Sequence, residues 1–415
     1  METDPAAHGH DSGNAPTGNR LLASKRSTLL GAMFLMSTAA IGPGFLTQTA
    51  DFTNQIGAAF AFAIVISIIV DIALQLNIWR VIGISGQRAH SLGNLVLPGL
   101  GWLMSIFIVI GGLVFNIGNL SGAGLGTDSM FGLEPRIGGA ITAVLAIGLF
   151  LYRRAGRAMD RLVVVLGFVM IALTVYVAIS SSPPVGTALK NVVLPDTINF
   201  FMITTLIGGT IGGYITYSGA HRLIDSNVTG PESSGTITKA SVTGVLITGL
   251  MRIILFLAVL GVVAGGATLA SDNPPGSAFQ IAAGDVGLRI FGIVIWAAAI
   301  SSVIGAAYTS VSFLTTVNGM ADRMRSWLTG AFILISGIIF VFVGSAPVKL
   351  LIFAGAFNGI ILPIGVAIVL WVAWRRRDLL HGYVYPKWLA IVGTLAWLFT
   401  IYSGYNSLSG IADLF

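Results

Sequence analysis

Long apolar segments alternate with short polar ones along almost the whole chain, and each has about the 20 residues that a helix needs to cross a bilayer. Eleven such segments follow one another, at residues 27–49, 56–79, 97–120, 136–153, 160–180, 197–219, 241–268, 287–316, 327–345, 348–374 and 387–408. Residues 1–26 are polar, and we expect them to form a mobile cytoplasmic tail. The pattern predicts an all-α polytopic membrane protein with eleven transmembrane helices.

Two of the apolar segments are interrupted by residues that a regular helix disfavours. The first contains Gly, Pro and Gly at 42–44, followed by polar residues at 47–49, and the sixth contains glycine pairs at 208–209 and 212–213. Each glycine weakens a helix by up to about 1 kcal/mol, and unpaired backbone groups in lipid cost several kcal/mol, so a break persists only where protein encloses it. We therefore predict that both breaks line a binding site, and we expect the first break to include residues 47–54.

The segments divide into five, five and one. Residues 27–180 form the first group, residues 197–374 the second, and residues 387–415 an additional helix with the C-terminus. Because five is odd, the second group must enter the membrane in the opposite direction to the first. The broken segments are the first of each group, which predicts a LeuT-like 5+5 inverted repeat with broken helices 1 and 6.

Composition and charge agree with a membrane protein. Hydrophobic residues make up 55% of the chain and charged residues only 9%, whereas an average soluble domain carries about 25% charge. With no cysteine in the sequence, disulfide and thiolate chemistry are excluded. Lysine and arginine lie mainly on the segments that share a side with the N-terminus, which predicts a cytoplasmic N-terminus and an extracytoplasmic C-terminus.

Short motifs in four of the segments carry a family resemblance. They are Gly42-Pro43, Gly208-Gly209-Thr210, Ala299-Ile300-Ser301-Ser302 and Leu362-Pro363. In this order and spacing, residues 27–408 resemble the NRAMP (MntH-like) family of proton-coupled divalent-metal transporters. The resemblance implies a secondary active transporter in the plasma (inner) membrane of a prokaryote, with no enzymatic activity, no cofactor and no nucleic-acid partner. A co-transported proton is a candidate partner, and the sequence leaves the oligomeric state open.

The positions that bind metal in that family carry other residues in this sequence. Gly212-Gly213-Tyr214 stands where relatives have Met-Pro-His, and Asn116 and Asn119 stand where relatives have acidic residues. The soft thioether that selects manganese or iron is therefore replaced by a glycine, and we predict no metal site. The sequence most resembles a divergent branch whose members are encoded beside 5-oxoprolinase subunits. This resemblance implies 5-oxoproline, a small ring with a carboxylate and a lactam, as a candidate substrate.

The broken helices would offer backbone groups and neutral side chains to a solute. Helix N-termini suit a carboxylate, and Gly212 and Gly213 are expected to leave room for something larger than an ion. The candidate substrate-binding residues are Gly42, Pro43, Gly44, Thr47, Gln48, Thr49, Gly208, Gly209, Thr210, Gly212, Gly213, Tyr214, Thr216, Tyr217, Asn116, Asn119, Ser301 and Asn358. They favour a small organic anion or lactam. A divalent metal (Mn²⁺, Fe²⁺ or Mg²⁺) as substrate and a non-transporting substrate sensor are the alternatives.

Two acidic residues, one at the outer edge of the first break and one within the second apolar segment, are candidates for proton coupling. Asp51 is the residue at the break, and we expect Asp51→Asn to weaken pH-driven accumulation more than substrate exchange. Asp71 and Arg252 are predicted to lie at a similar depth, where they could form a buried ion pair. In that case Asp71→Asn would leave the arginine unpaired, at a cost of about 3 to 5 kcal/mol.

Overall fold

The structure is a computed structural model that describes residues 41–315, 322–343 and 346–414. The α-helices in these ranges are α1 Pro43–Ile56, α2 Phe60–Ser85, α3 Ala89–Val96, α4 Leu100–Phe131, α5 Pro135–Leu151, α6 Arg153–Ser180, α7 Val185–Val193, α8 Phe200–Ile211, α9 Ile215–Asp225, α10 Ser234–Ala264, α11 Pro274–Thr315, α12 Asp322–Val343, α13 Pro347–Arg375, α14 Lys387–Asn406 and α15 Leu408–Ala412. The predicted tail, residues 1–26, lies outside the described residues. The described chain is therefore all-helical, as predicted.

The long helices follow the predicted apolar segments. Among the described residues, eight helical stretches are long and apolar enough to cross a membrane, and one of them, Pro43–Ser85, includes residues from the first two predicted segments. Val165–Ser180 and Val185–Val193 meet at an angle of 102° and together form one further candidate span, and Pro135–Leu151 is a shorter apolar helix. The chain is thus an integral membrane protein, and the count of eleven spans stays a prediction.

The first break lies earlier in the chain than the polar residues that follow it. Gly42 is extended, with φ −98° and ψ −172°, and α1 begins at Pro43, where a proline suits the first helical position. Thr49 is inside α1, and its hydroxyl donates to the Phe45 carbonyl at 2.7 Å. The expectation that residues 47–54 form part of the break is therefore wrong. Threonine tolerates the helix at this position because its hydroxyl bonds to the carbonyl one turn back.

The second break is where the glycines predict it. Helix α8 ends at Ile211 and α9 begins at Ile215. Gly212 is extended, with φ −71° and ψ 165°, and Gly213 has a φ of +54°, a conformation that glycine adopts without the strain of a Cβ atom. The sixth apolar segment is thus a broken helix, and Tyr214 completes the connection between its halves.

Glycines bring α8 into close contact with α13. A Cβ atom on Gly208 would lie 2.0 Å from the Gly355 carbonyl oxygen and 2.2 Å from the Gly359 nitrogen. A Cβ atom on Gly359 would in turn lie 2.3 Å from the Thr204 carbonyl oxygen. Small residues allow this approach of two backbones inside a membrane. Gly208 therefore serves helix packing and fixes the position of the break beside α13.

The second half of the broken helix is anchored to α2. The buried Trp79 indole donates a hydrogen bond to the Thr216 carbonyl at 2.9 Å, across 137 positions in the sequence. The same ring packs on Gly219, where a Cβ atom would lie 2.2 Å from it. The start of α9 is thereby held against a neighbouring helix.

Candidate substrate-binding site

A polar cavity lies between the two breaks, enclosed by α1, α4, α8 and α13. It is narrow in this structure, because the space open to the centre of a water-sized sphere is about 10 Å³, enough for about one water molecule. The lining residues are Gly42, Gly44, Phe45, Gln48, Phe115, Gly118, Asn119, Gly209, Tyr214, Leu351 and Ala354. None of these side chains carries a charge. The cavity therefore combines an apolar lining with a few neutral hydrogen-bonding groups.

Gln48 joins three of the enclosing helices. Its side chain is fully buried, and Nε2 donates to the Leu351 carbonyl of α13 at 3.0 Å. The absence of a Cβ atom on Gly209 and on Gly355 makes room for it, since such atoms would lie 2.7 Å from Gln48 Oε1 and 2.4 Å from Nε2. With Nε2 committed to Leu351, Oε1 is left without a hydrogen-bond partner. A buried acceptor without a partner is costly, so this atom is ready to accept from a ligand.

Asn119 supplies a complementary donor on the opposite wall. It lies on α4 and is 6% exposed, and its side chain lies beside the Tyr214 hydroxyl, although Nδ2 makes no hydrogen bond of 3.5 Å or less. Phe115, one helical turn earlier, packs edge to face on Tyr214 with ring centroids 5.6 Å apart. This aromatic contact positions Tyr214, which follows the glycine pair at 212–213. The cavity thus presents one unpaired acceptor and one unpaired donor, held by different helices.

Asn358 connects the second break to α4 and α13. Its Nδ2 donates to the Gly111 carbonyl at 3.1 Å and to the Ala354 carbonyl at 2.9 Å, which leaves Oδ1 without a partner. A Cβ atom on Gly213 would lie 2.2 Å from that Oδ1. Gly212 and Gly213 therefore do not line the substrate-binding cavity, although Gly213 lines a third one. They allow close packing, because Gly212 likewise lies against the Gly208 backbone.

The structure brings some of the predicted residues together at the cavity and places others elsewhere. Gly42, Gly44, Gln48, Gly209, Asn119 and Tyr214 line it. The remaining candidates outside this lining are Pro43, Thr47, Thr49, Gly208, Thr210, Gly212, Gly213, Thr216, Tyr217, Asn116, Ser301 and Asn358. Thr210 lines a second cavity and Tyr217 a third. Helix geometry separates these residues, since Gly209 and Thr210 are neighbours in sequence and point about 100° apart.

Several lining residues were not predicted. Phe45, Phe115, Leu351 and Ala354 are apolar, and Gly118 is one of many scattered glycines. An apolar side chain gives no signal in a sequence that is 55% hydrophobic. Only the spacing of Phe115 and Gly118 around Asn119, one turn apart on one helix face, could have indicated them.

The acidic coupling candidates occupy different environments. The Asp51 carboxylate accepts a hydrogen bond from Gln55 Nε2 at 2.7 Å and lines neither cavity. Asp71 and Arg252 do lie at the same depth, as predicted, because both line the second cavity. They form no direct salt bridge, however, and Asp71 Oδ1, Arg252 Nε and Arg252 Nη2 have no hydrogen-bond partner. The two charges still act on each other through space, and the buried ion pair stays a prediction.

A helix broken at residues 212–214 and an extended Gly42 at the start of α1 flank a central cavity, an arrangement typical of membrane transporters of the LeuT type. A sequence model described as "Natural resistance-associated macrophage protein-like" (Nramp) matches residues 33–409, so the chain belongs to the Nramp family. It is 52% identical over 369 residues to an uncharacterized membrane protein, YcsG, of Bacillus subtilis, covering 89% of this chain and 91% of the relative. It is 47% identical over 392 residues to an uncharacterized membrane protein of Haemophilus influenzae, covering 94% of this chain and 98% of the relative.

Solved structures agree on the fold. A manganese transporter of Eremococcus coleocola superposes with a TM-score of 0.74 at 17% identity, covering 96% of this chain and 89% of that chain. MhsT in complex with L-phenylalanine superposes with a TM-score of 0.62 at 16% identity, covering 93% of this chain and 98% of that chain. At these identities the likeness establishes the fold alone.

Proposed function

We propose that this protein is a secondary active transporter that carries a small organic solute with a carboxylate and a lactam or amide group, such as 5-oxoproline. The solute would bind in the cavity between the two breaks and cross the membrane by alternating access, in which the broken helices move relative to the rest of the bundle. The observation that carries the proposal is that one acceptor and one donor without hydrogen bonds belong to residues that line that cavity. Gln48 Oε1 is an acceptor and Asn119 Nδ2 is a donor.

The two atoms match the two functional groups of the proposed solute. A lactam N–H is a donor and would bind the Gln48 oxygen, while a carboxylate is an acceptor and would bind the Asn119 nitrogen. The apolar ring of such a solute would contact Phe45 and Phe115, which line the same cavity. Ligand pockets typically combine an apolar lining with a few polar groups that fix the orientation.

A divalent metal is the second candidate, because a manganese transporter is among the structural neighbours. Mn²⁺ is bound in proteins mainly by carboxylate, carbonyl, imidazole and water ligands. The side chains lining the cavity are neutral, and among the described residues no group of three or more His, Asp or Glu side chains comes together. Carbonyl oxygens of Gln48 and Asn119 could still contribute ligands. The organic solute is favoured because it also uses the donor.

Transport by the purified protein in liposomes separates these candidates. We expect unlabelled 5-oxoproline trapped inside to drive uptake of labelled 5-oxoproline by counterflow, and we expect no saturable uptake of manganese. Asn119→Leu removes the unpaired donor and should weaken 5-oxoproline binding by about 1 to 3 kcal/mol, or about 5- to 150-fold in Kd. Saturable manganese uptake without 5-oxoproline counterflow would reject the proposal in favour of the metal.

Binding without counterflow would instead indicate a sensor built on a transporter fold. The thermal midpoint of the detergent-solubilised protein measures binding separately, because a ligand that binds the native state raises it. A matched control is Asn406→Leu. Asn406 lies at the end of α14, its side chain is exposed, and Nδ2 donates only to the Tyr402 carbonyl of its own helix. This variant should bind and transport 5-oxoproline as the unsubstituted protein does.

A further inference from the structure

A second, charged cavity lies behind the broken helix, between α2, α8 and α10. Its lining residues of interest are Asp71 and Ser67 on α2, Thr210 on α8, and Thr248 and Arg252 on α10. Asp71 is 1% exposed and Arg252 is 2% exposed. Helices α2 and α10 approach closely beside this cavity, since a Cβ atom on Gly249 would lie 2.7 Å from Ile68 Cδ1. Two oppositely charged side chains therefore face one enclosed space.

The charged groups are near each other without being bonded to each other. Asp71 Oδ1, Arg252 Nε and Arg252 Nη2 have no hydrogen-bond partner. The arginine is held from the other side, because its guanidinium carbon lies 4.4 Å from the centroid of the Phe45 ring. Such a cation–π contact stabilises a buried guanidinium and limits how far it can move toward the carboxylate.

The remaining polar groups of this cavity are acceptors. The hydroxyl groups of Ser67, Thr210 and Thr248 donate to the carbonyls of Ile64, Leu206 and Gly244 at 2.8, 2.8 and 3.0 Å, all within their own helices. Their oxygen lone pairs are left to accept. Donors on Arg252 together with acceptors on Asp71 and three hydroxyls would suit one water molecule, for which the space of about 10 Å³ is just sufficient. Water between the two charges would give a proton a route to the carboxylate.

No other charged group in the described residues competes for this carboxylate. Helix α8 presents only the Thr210 hydroxyl to the cavity, and α10 presents Arg252. None of the charged side chains on the other helices packed against α2, namely α1, α7, α9, α13 and α14, lines it. The charge on Asp71 is therefore set mainly by its burial, by Arg252 and by the Thr210 hydroxyl.

The charged cavity touches the substrate-binding cavity at two points. Phe45 lines the substrate-binding cavity and also carries Arg252 on its ring. Gly209 lines the substrate-binding cavity, and the next residue, Thr210, lines the charged one. A solute that displaces Phe45 or α8 would change the distance between Arg252 and Asp71.

We propose that Asp71, held beside Arg252 in the charged cavity, is the proton-binding site that couples a proton to solute transport. The proton adds to a carboxylate oxygen of Asp71 from water, changes the net charge of the Asp71–Arg252 pair from zero to plus one, and later leaves from the same oxygen to water. Through Phe45 and Thr210 the proton and the solute change each other's affinity by the same factor, as linkage requires. The coupling to solute rests on the proposed function, whereas proton binding by Asp71 does not.

Infrared difference spectroscopy tests proton binding without any solute. The C=O stretch of a protonated carboxyl group is distinct from the bands of ionised carboxylates, so acidification should produce a carboxyl band. We expect this band to be lost in Asp71→Asn and kept in Asp51→Asn and in Asp285→Asn, a control in which an exposed carboxylate likewise bonds to a glutamine. A titrating band that persists in Asp71→Asn, or no such band in the unsubstituted protein, would overturn the proposal.

Transport in liposomes then tests the coupling. A gradient of about one pH unit should drive about tenfold accumulation of 5-oxoproline at one proton per solute. Asp71→Asn should abolish this accumulation while counterflow continues. If that variant is unstable, the double variant Asp71→Asn with Arg252→Gln replaces it, because it leaves no unpaired buried charge. The double variant should give the same result. Unchanged pH-driven accumulation in a folded variant would refute the coupling. Absence of 5-oxoproline transport in the unsubstituted protein would refute the proposed function instead and leave the infrared result decisive.

Discussion

Replacing Gly213 by leucine is expected to abolish transport and to lower the thermal midpoint of the protein. Gly213 has a φ of +54°, and a non-glycine residue in this region costs about 1 to 3 kcal/mol. A Cβ atom there would also lie 2.2 Å from Asn358 Oδ1 and 3.4 Å from the Phe115 ring, so Asn358 must move. Overpacking of this kind costs about 1 to 3 kcal/mol more. Because Asn358 bonds to Gly111 on α4, the break and one wall of the site shift together.

Gly148→Leu is the matched control for that substitution. Gly148 lies within α5, no atom comes within 4 Å of the position of its Cβ, and its φ lies outside the left-handed region. Leucine also favours a helix more than glycine does. We expect counterflow and the thermal midpoint of this variant to match those of the unsubstituted protein. If Gly213→Leu transported at the unsubstituted rate, the geometry of the second break could not be required for function.

Gln48→Leu is expected to give the largest loss of solute affinity among variants that keep the fold. Leucine has a similar size but lacks the unpaired Oε1 of Gln48, a residue that lines the substrate-binding cavity. A solute N–H buried there without an acceptor costs about 1 to 3 kcal/mol, which weakens the Kd about 5- to 150-fold. Isothermal titration or a ligand-induced thermal shift with 5-oxoproline measures the change. The hydrogen bond from Nε2 to the Leu351 carbonyl is lost as well, so the thermal midpoint without ligand must be compared.

Gln55→Leu on the same helix serves as the control for this variant. Gln55 is exposed, lines neither cavity, and donates to Asp51 at 2.7 Å. Its replacement should leave the affinity for 5-oxoproline within experimental error. Equal loss of affinity in both variants would point to a general effect on α1, and unchanged affinity in Gln48→Leu would exclude Gln48 Oε1 as a solute ligand.

The two helix breaks show which structural features local sequence signals can predict. The second break is confirmed at residues 212–214, since two adjacent glycines followed by an aromatic residue interrupt α8 and α9 for local reasons. The first break was expected to include Thr47 and Thr49, which are instead helical. Polar residues in an apolar segment do not by themselves unwind it, because a threonine hydroxyl finds its partner within the helix.

Charge placement shows a similar limit. The sequence indicated that Asp71 and Arg252 lie at one depth, which follows from counting residues along two spans at about 1.5 Å each. It could not indicate that Phe45 would hold Arg252 by a contact at 4.4 Å, so that the two charges share a cavity without a direct bond. The position of Arg252 depends on the packing of α1 against α10, which cannot be predicted by counting residues along the spans.

The membrane class, the helical segments and the two breaks could be read from the chain, because hydropathy, helix length and glycine act on neighbouring residues. Which polar residues meet depended on the packing of the helices. That packing placed Gln48 and Asn119 in one cavity, moved Thr210 to another, and used Gly212 and Gly213 for close contact instead of open space. These contacts join residues up to 303 positions apart, as between Gln48 and Leu351, and depend on which face each helix turns toward its neighbours.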